Sequence, residues 1–352
     1  MEAWKAGYVG YGALRLIKTV KDIASNINGP YSNTMPIIQS SGTGKSRMVD
    51  EMAKSIFTLP FKLAPTGVDG ATYPASDAAI REYLCHANKY TERDFVIARY
   101  LVFFASLLSV VAEEVNHIWG DSPRVLPSEW RAHLETDDKR ASLYRRAVEG
   151  VPAIWQEVDE RAPAKITGLF LSTTSFVAKY APTYENMPSD RAQAEALQPP
   201  YTELPFDCHP NFFPVRGNQY TVDALSTPKF QANFGRPLFW TRYRYGNRTI
   251  KEGIVHFARE SCFATELAVL DMRIMLDFGP HRDANTVQQC LIESHMRIAV
   301  SVPAHREYSY SAYPSEPLLA EAAARIMATI REEQNDDDDN IARTLQNTRR
   351  VV

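Results

Sequence analysis

A chain of 352 residues that is 45 % hydrophobic can bury one large core or two smaller ones, and a net charge of -3 gives no bulk electrostatic attraction for nucleic acid or other polyphosphates. Its 4 cysteines, Cys85, Cys208, Cys262 and Cys290, lie far apart with no C-x-x-C pair, and its 8 histidines show no H-E-x-x-H spacing, so structural zinc has no support and a reduced interior is expected. The opening MEAWKAGYVG lacks the charged-then-apolar layout of a secretory signal and no Gly-x-Ser-x-Gly elbow appears, so the expectation is an intracellular protein, cytoplasmic or nuclear, without covalent hydrolase chemistry.

Residues 1–33 read as an amphipathic helix, with Leu14, Leu16, Ile17, Val20 and Ile23 as its apolar stripe, followed by a Gly29-Pro30 turn. Met35, Ile37 and Ile38 then predict a strand, and Met48, Val49, Met52 and Ile56 recur at helical spacing beyond it. Between the two stands Gln39-Ser40-Ser41-Gly42-Thr43-Gly44-Lys45-Ser46. A strand, a small-residue loop and a helix in this order form a phosphate-binding device. Small residues let successive backbone N–H groups curl around an anion at the positive end of the helix.

In that reading Ser41, Gly42, Thr43 and Gly44 form the cradle, Lys45 reaches the β- and γ-phosphates of a nucleoside triphosphate, and the Ser46 hydroxyl takes one coordination position on Mg²⁺. The usual pattern G-x-x-x-x-G-K-[ST] carries Gly where this chain has Gln39. If that position required a positive φ, Gln39 would carry strain on the order of 1–2 kcal/mol. The competing reading is a Ser/Gly surface turn before a helix.

Farther along, Phe57–Leu63 predicts a second strand or extended segment, Gly67 to Pro74 a loop, and Asp77 to about Ala87 a helix. Arg93–Trp119 predicts a long core helix; its longest apolar run, Tyr100–Ala112, is 13 residues, short of the ~20 that span a membrane. Pro123 and Pro127 mark an irregular connection before a polar helical segment over 129–161. The run Ile166–Leu171 predicts a parallel strand that delivers Ser172, Thr173 and Thr174 to a ligand at its carboxyl end. Residues 182–237, rich in proline, predict extended loop and a boundary. Helix returns from Lys251 to Asp277 and over 286–296, a hairpin follows at Arg297–Val302 and Glu307–Tyr313, and a helix runs from Pro317 to Ile330. The acidic run Asp336–Asp339 and the arginines after it predict a solvated, disordered tail.

Hydrolysis also requires an acidic residue at the end of an apolar strand to hold Mg²⁺ through water. The candidates are weak: Asp159 and Glu160 lie after a short apolar run, Glu113 and Glu114 lie within the long helix, and Asp277 lies where a helix is expected to end at Gly279. Arg236, Arg242, Arg244 and Arg248 could stabilise transferred phosphate or could form a solvated face. Thr173 is a candidate sensor of the γ-phosphate.

The loop QSSGTGKSRMVDEMAK, the strand GLFLSTTSF, the turn FGRPLFW and the late segment YPSEPLLAEAAARIM, in this order, resemble fungal P-loop proteins similar to the NTPase portion of Crinkler-type proteins, over roughly residues 30–330. The resemblance implies an α/β P-loop NTPase, AAA+- or STAND-like, with a parallel sheet carrying helices on both faces. It implies ATP and Mg²⁺ on Gly44, Lys45 and Ser46, a sensor at Ser172–Thr174, and a lid beginning near Gly235-Arg236-Pro237. The expected organisation is a helical preface over 1–33, the core with its Pro-rich extension over 34–237, a smaller helical, winged-helix-like unit over 238–330, and the tail over 331–352. ATP binding with slow or absent hydrolysis is the leading expectation. A non-enzymatic interaction module with a protein partner or self-association is the alternative, and a phosphotransferase the second alternative; neither a membrane nor nucleic acid is expected as a partner.

Overall fold

A computed structural model of the chain describes residues 7–25, 33–63, 76–85, 93–120, 126–136, 138–155, 167–172, 199–210, 215–217, 219–262, 265–279, 282–303 and 309–333. The chain divides into two compact units, residues 1–49 with 166–352, and residues 50–165. This division does not follow the proline-rich span, where a boundary is expected from composition. The strand and loop near the N-terminus are tied by hydrogen bonds to residues beyond 200, as in Ile38 N–H to the Tyr201 carbonyl (3.1 Å).

In the first unit, helix α1 (Gly12–Ser25) buries Ala13, Leu16, Val20 and Ile23, the i, i+3, i+7, i+10 series of one helical face, while Leu14 stays exposed. Strand β1 (Thr34–Ile38) buries Met35, Ile37 and Ile38 and leads through the loop into α2 (Lys45–Met52). Strand β2 (Gly168–Ser172) pairs with β1 in parallel, from Thr34 opposite Gly168 to Ile38 opposite Ser172. On the other edge of β1 the pairing is a single parallel bridge, Ile37 with Tyr201. Pro36 supplies a reason: its carbonyl accepts from Tyr201 N–H (2.8 Å), but it has no N–H to carry the ladder back toward residue 199. Among the described residues the parallel sheet is therefore two strands and one bridge, narrower than the sheet implied by the resemblance.

The proline-rich span holds two one-turn helices, α7 (Val222–Leu225) and α8 (Pro228–Gln231), N-capped by the Thr221 and Thr227 hydroxyls. Helices α9 (Pro237–Tyr245), α10 (Arg248–Glu252), α11 (Ile254–Cys262), α12 (Glu266–Ile274) and α13 (Arg282–Ser294) follow. The helical pattern expected over 251–277 is realised as the end of α10 and as α11 and α12. Thr265 caps the start of α12, and Met275, left-handed at φ 49°, ends it before Asp277, which is exposed. Strands β3 (Ile298–Ser301) and β4 (Tyr310–Ala312) form the antiparallel hairpin, and α14 (Pro317–Glu333) packs on α11 and α12. Phe239, Ile254, Ala258, Val269, Met296, Leu318 and Ala322 are the centre of this core.

The second unit is helical: α3 (Ala78–Cys85), α4 (Arg93–Trp119), α5 (Pro127–Glu135) and α6 (Lys139–Trp155). Trp130, Phe103, Leu107, Val111, Leu143 and Ala147 fill its core. Gly150 admits the Ser106 hydroxyl, which donates to the Ala147 carbonyl (2.6 Å) and lets α4 and α6 approach closely. The segment Phe57–Leu63, expected as a second strand or an extended segment, forms no strand and is irregular. Side chains from the helices take its backbone groups: Trp130 Nε1–H donates to the Thr58 carbonyl (3.2 Å), Tyr144 Oη–H to the Pro60 carbonyl (2.8 Å), and Lys62 N–H to Asp77 Oδ2 (2.7 Å). The stretch Phe95–Trp119 of α4 is 25 residues long and, by length and composition alone, could cross a membrane. In this fold one face of it is core, and Ile97, Leu101, Phe104 and Leu108 on another are exposed.

Candidate phosphate-binding site

The loop after β1 turns its carbonyls into the protein. Lys45 Nζ donates to the Gln39 carbonyl (2.6 Å) and the Ser40 carbonyl (2.8 Å), and the Thr43 hydroxyl also donates to Ser40 O (3.0 Å). Arg236 Nη1 donates to the Ser41 carbonyl (2.6 Å), and Leu238 N–H to the Gly42 carbonyl (3.2 Å). The amides of Gly42, Thr43, Gly44, Lys45 and Ser46, by contrast, meet no protein acceptor among the described residues. Gly42 (φ 75°) and Gly44 (φ 87°) supply the left-handed turns that make this possible. At Gly42 a Cβ would also stand 2.6 Å from Leu238 Cδ2, so the glycine serves both the turn and the approach of α9.

Gln39 does not lie in the left-handed region, where the non-glycine residues among those described are Asp207, Met275 and Met296. The strain conditional on a positive φ therefore does not arise. The side chain is buried at 2 % exposure and fully bonded: Oε1 accepts from Ser40 N–H (3.0 Å) and Ala299 N–H (2.8 Å), and Nε2 donates to the carbonyls of Ala299 (2.8 Å) and Thr202 (3.2 Å).

Arg236 has no exposed surface. Its Nε and Nη2 fork onto Glu316 Oε1 (2.8 Å) and Oε2 (2.7 Å), Nη2 also reaches the Met296 carbonyl (2.6 Å), and Nη1 reaches Ser40 Oγ (3.3 Å) besides Ser41 O. All five N–H groups are engaged, so the guanidinium holds the loop and has no donor left for a transferred phosphate. The preceding Gly235 is pinned by Asp207, whose Oδ1 accepts from its N–H (2.6 Å) and whose N–H donates to its carbonyl (2.9 Å). Of the other clustered arginines, Arg242 lies over the Phe257 ring (3.7 Å) and Arg248 pairs with Glu252 on the surface.

Burial, with the Arg236 charge nearby, pushes the Lys45 ammonium down from 10.5 to about 7. Ser46 is exposed at the first turn of α2, a position from which its hydroxyl fits one Mg²⁺ ligand. No cluster of three metal-binding side chains occurs among the described residues. Asp159, Glu160 and Thr173 lie outside the described residues, as does the charged tail beyond Glu333. Glu113 and Glu114 belong to the helical unit, where Glu114 is held by Arg146 (2.7 Å) and His133 (3.1 Å) and Glu113 by Arg146 (3.1 Å).

The structure thus gathers Gln39–Ser46 with Arg236, and adds Glu316, Ala299 and Asp207, which sequence reasoning gave no role. Glu316 had one available signal: an arginine drawn into a core requires a carboxylate beside it. No family model, curated protein or solved structure matches the chain.

Proposed function

We propose that the loop Ser41–Ser46 binds the phosphates of a nucleoside triphosphate, with Mg²⁺ held in part by Ser46. The observation that carries this reading is the asymmetry of the loop: the carbonyls of residues 39–42 are all bonded inward, while five consecutive amides, from Gly42 in the loop to Ser46 in the first turn of α2, have no protein acceptor among the described residues. Such a row of N–H dipoles favours an anion. In this reading Lys45 leaves the Gln39 and Ser40 carbonyls, which it now bonds, for the β- and γ-phosphates, and the resemblance to Crinkler-type NTPases favours ATP as the nucleotide. The sequence offers only weak candidates for a strand-end carboxylate, Asp159 and Glu160 among them, so the reading is ATP binding with slow or absent hydrolysis. Mg²⁺, when bound, would neutralise phosphate charge; the chain's own contribution is to bind and orient.

A single-turnover experiment with excess protein and trace labelled Mg-ATP tests this, reading bound nucleotide and released phosphate in parallel with Lys45→Ala. Removing a charge-assisted contact of this kind weakens binding by about ten- to a hundredfold. Equal binding by the variant rejects the site, and release of phosphate by the unaltered chain rejects the non-hydrolysing form of the reading.

One observation favours a second role as an interaction module. Ile97, Leu101, Phe104 and Leu108, at i, i+4, i+7 and i+11, present exposed apolar side chains along α4. A protein partner or self-association would cover them; Leu101→Glu would then release the partner or the second copy while leaving ATP binding intact, measured by light scattering.

A further inference from the structure

Gln39 occupies the place where the phosphate-loop pattern carries glycine, and its side chain does what a strand backbone does. Its carboxamide accepts from the N–H of Ala299 and donates to the carbonyl of the same residue, both at 2.8 Å, the reciprocal pair that a directly opposed residue makes in an antiparallel ladder. Its remaining capacity goes to Ser40 N–H and Thr202 O, and the Thr202 hydroxyl in turn donates to the Val300 carbonyl (3.0 Å). The backbone carbonyl of Gln39 meanwhile accepts from Lys45 Nζ. One residue thus joins the lysine expected to meet phosphate to β3 of the hairpin. Next to it, Arg236 bonds the Ser41 carbonyl on one side and Met296, two residues before β3, on the other.

We propose that Gln39 is a positioning residue that couples occupancy of the phosphate loop to the β3–β4 hairpin. The coupling rests on the nucleotide reading above. When Lys45 leaves the Gln39 and Ser40 carbonyls for the phosphates, the 39–40 peptide loses its internal donor, and its position is then set by the Gln39 side chain on Ala299. A change in the loop is passed to the hairpin through that carboxamide, because three of its four hydrogen bonds, both of those to Ala299 among them, are buried and losing one strands a polar group. A phosphate loop with glycine at this position has no such connection.

The test sets the consensus against the structure. If Gln39 is only a departure from the pattern, Gln39→Gly restores the motif and binds Mg-ATP as well or better. If it is the coupling residue, Gln39→Gly binds Mg-ATP about tenfold more weakly. The specific readout is hydrogen exchange at the amides of residues 298–302, which changes on adding Mg-ATP to the unaltered chain and does not change in the variant. Gln39→Met, which keeps the buried bulk and removes the carboxamide, gives the same two results and decides the matter if Gln39→Gly fails to fold. Equal or tighter binding by the folded variant, or hairpin exchange that is indifferent to nucleotide in the unaltered chain that binds it, overturns the coupling alone. Absence of Mg-ATP binding by the unaltered chain overturns the nucleotide reading and the coupling together.

Discussion

In the helical unit, residues 50–165, the core is made of side chains that any amphipathic helix would bury: Trp130, Phe103, Leu107 and Leu143, with Phe57 stacked on Trp130 at 4.9 Å. In the other unit the loop Gln39–Ser46 is fixed by polar groups distant in sequence, with Gln39 on Ala299 and Arg236 between Ser41 and Glu316. The first arrangement is non-directional and tolerant of small shifts. The second is directional, and a single truncation leaves a buried charge or amide without its partner. The loop is thereby held in shape at some risk to stability.

The largest effect is expected at the buried ion pair. Glu316→Ala leaves Arg236 uncompensated and costs about 3–5 kcal/mol, visible in urea unfolding, with early loss of exchange protection around residues 40–42 and 296–299. Protection lost first in residues 50–165 instead would break the comparison. Trp130→Ala removes the largest buried side chain of the helical unit, together with its bond to the Thr58 carbonyl, and costs about 3–4 kcal/mol, with exchange rising in 57–63 and α4 while the loop stays protected. If that variant loosened the loop Gln39–Ser46 equally, the two units would unfold as one cooperative body.

A smaller effect follows from Lys45. With its ammonium near 7 in the free protein, phosphate binding favours the charged form and takes up a proton as pH rises past that value. Mg-ATP affinity is therefore expected to be full below about pH 7 and to fall above it toward about tenfold per pH unit, or about 1.4 kcal/mol. Calorimetric titrations in buffers of different ionisation enthalpy would register the proton uptake; flat affinity from about pH 7 to 9 would remove Lys45 from the site. The smallest effect is expected at Arg248, whose pair with Glu252 is 90 % and 64 % exposed. Arg248→Ala should leave both stability and ATP affinity unchanged within about 0.5 kcal/mol, and a larger loss of affinity would restore this arginine as a phosphate contact.

Local pattern made much of this legible. The apolar run Met35–Ile38, the glycines at 42 and 44 and the periodicity after Lys45 predict strand, loop and helix, and that order is observed. The long helix over 93–119 follows from composition, and the hairpin near 298–312 from alternation. Where the reading went astray, the missing information was not local. At Phe57–Leu63 local composition left strand and extended segment both open; its hydrogen bonds go to Trp130, Tyr144 and Asp77, and no strand among the described residues pairs with it. Likewise Met275 ends α12 in a left-handed conformation for which its sequence carries no glycine.

By itself, then, the sequence determined the order of strand, loop and helix and the turns at Gly42 and Gly44, because apolar run, helical spacing and the backbone freedom of glycine are properties of residues at fixed local spacing. Only the tertiary structure decided what Gln39 and Arg236 are for. Their partners, Ala299 and Glu316, lie in distant parts of the chain, and burial converts an amide and a guanidinium that would be solvated on a surface into fixed struts behind the loop.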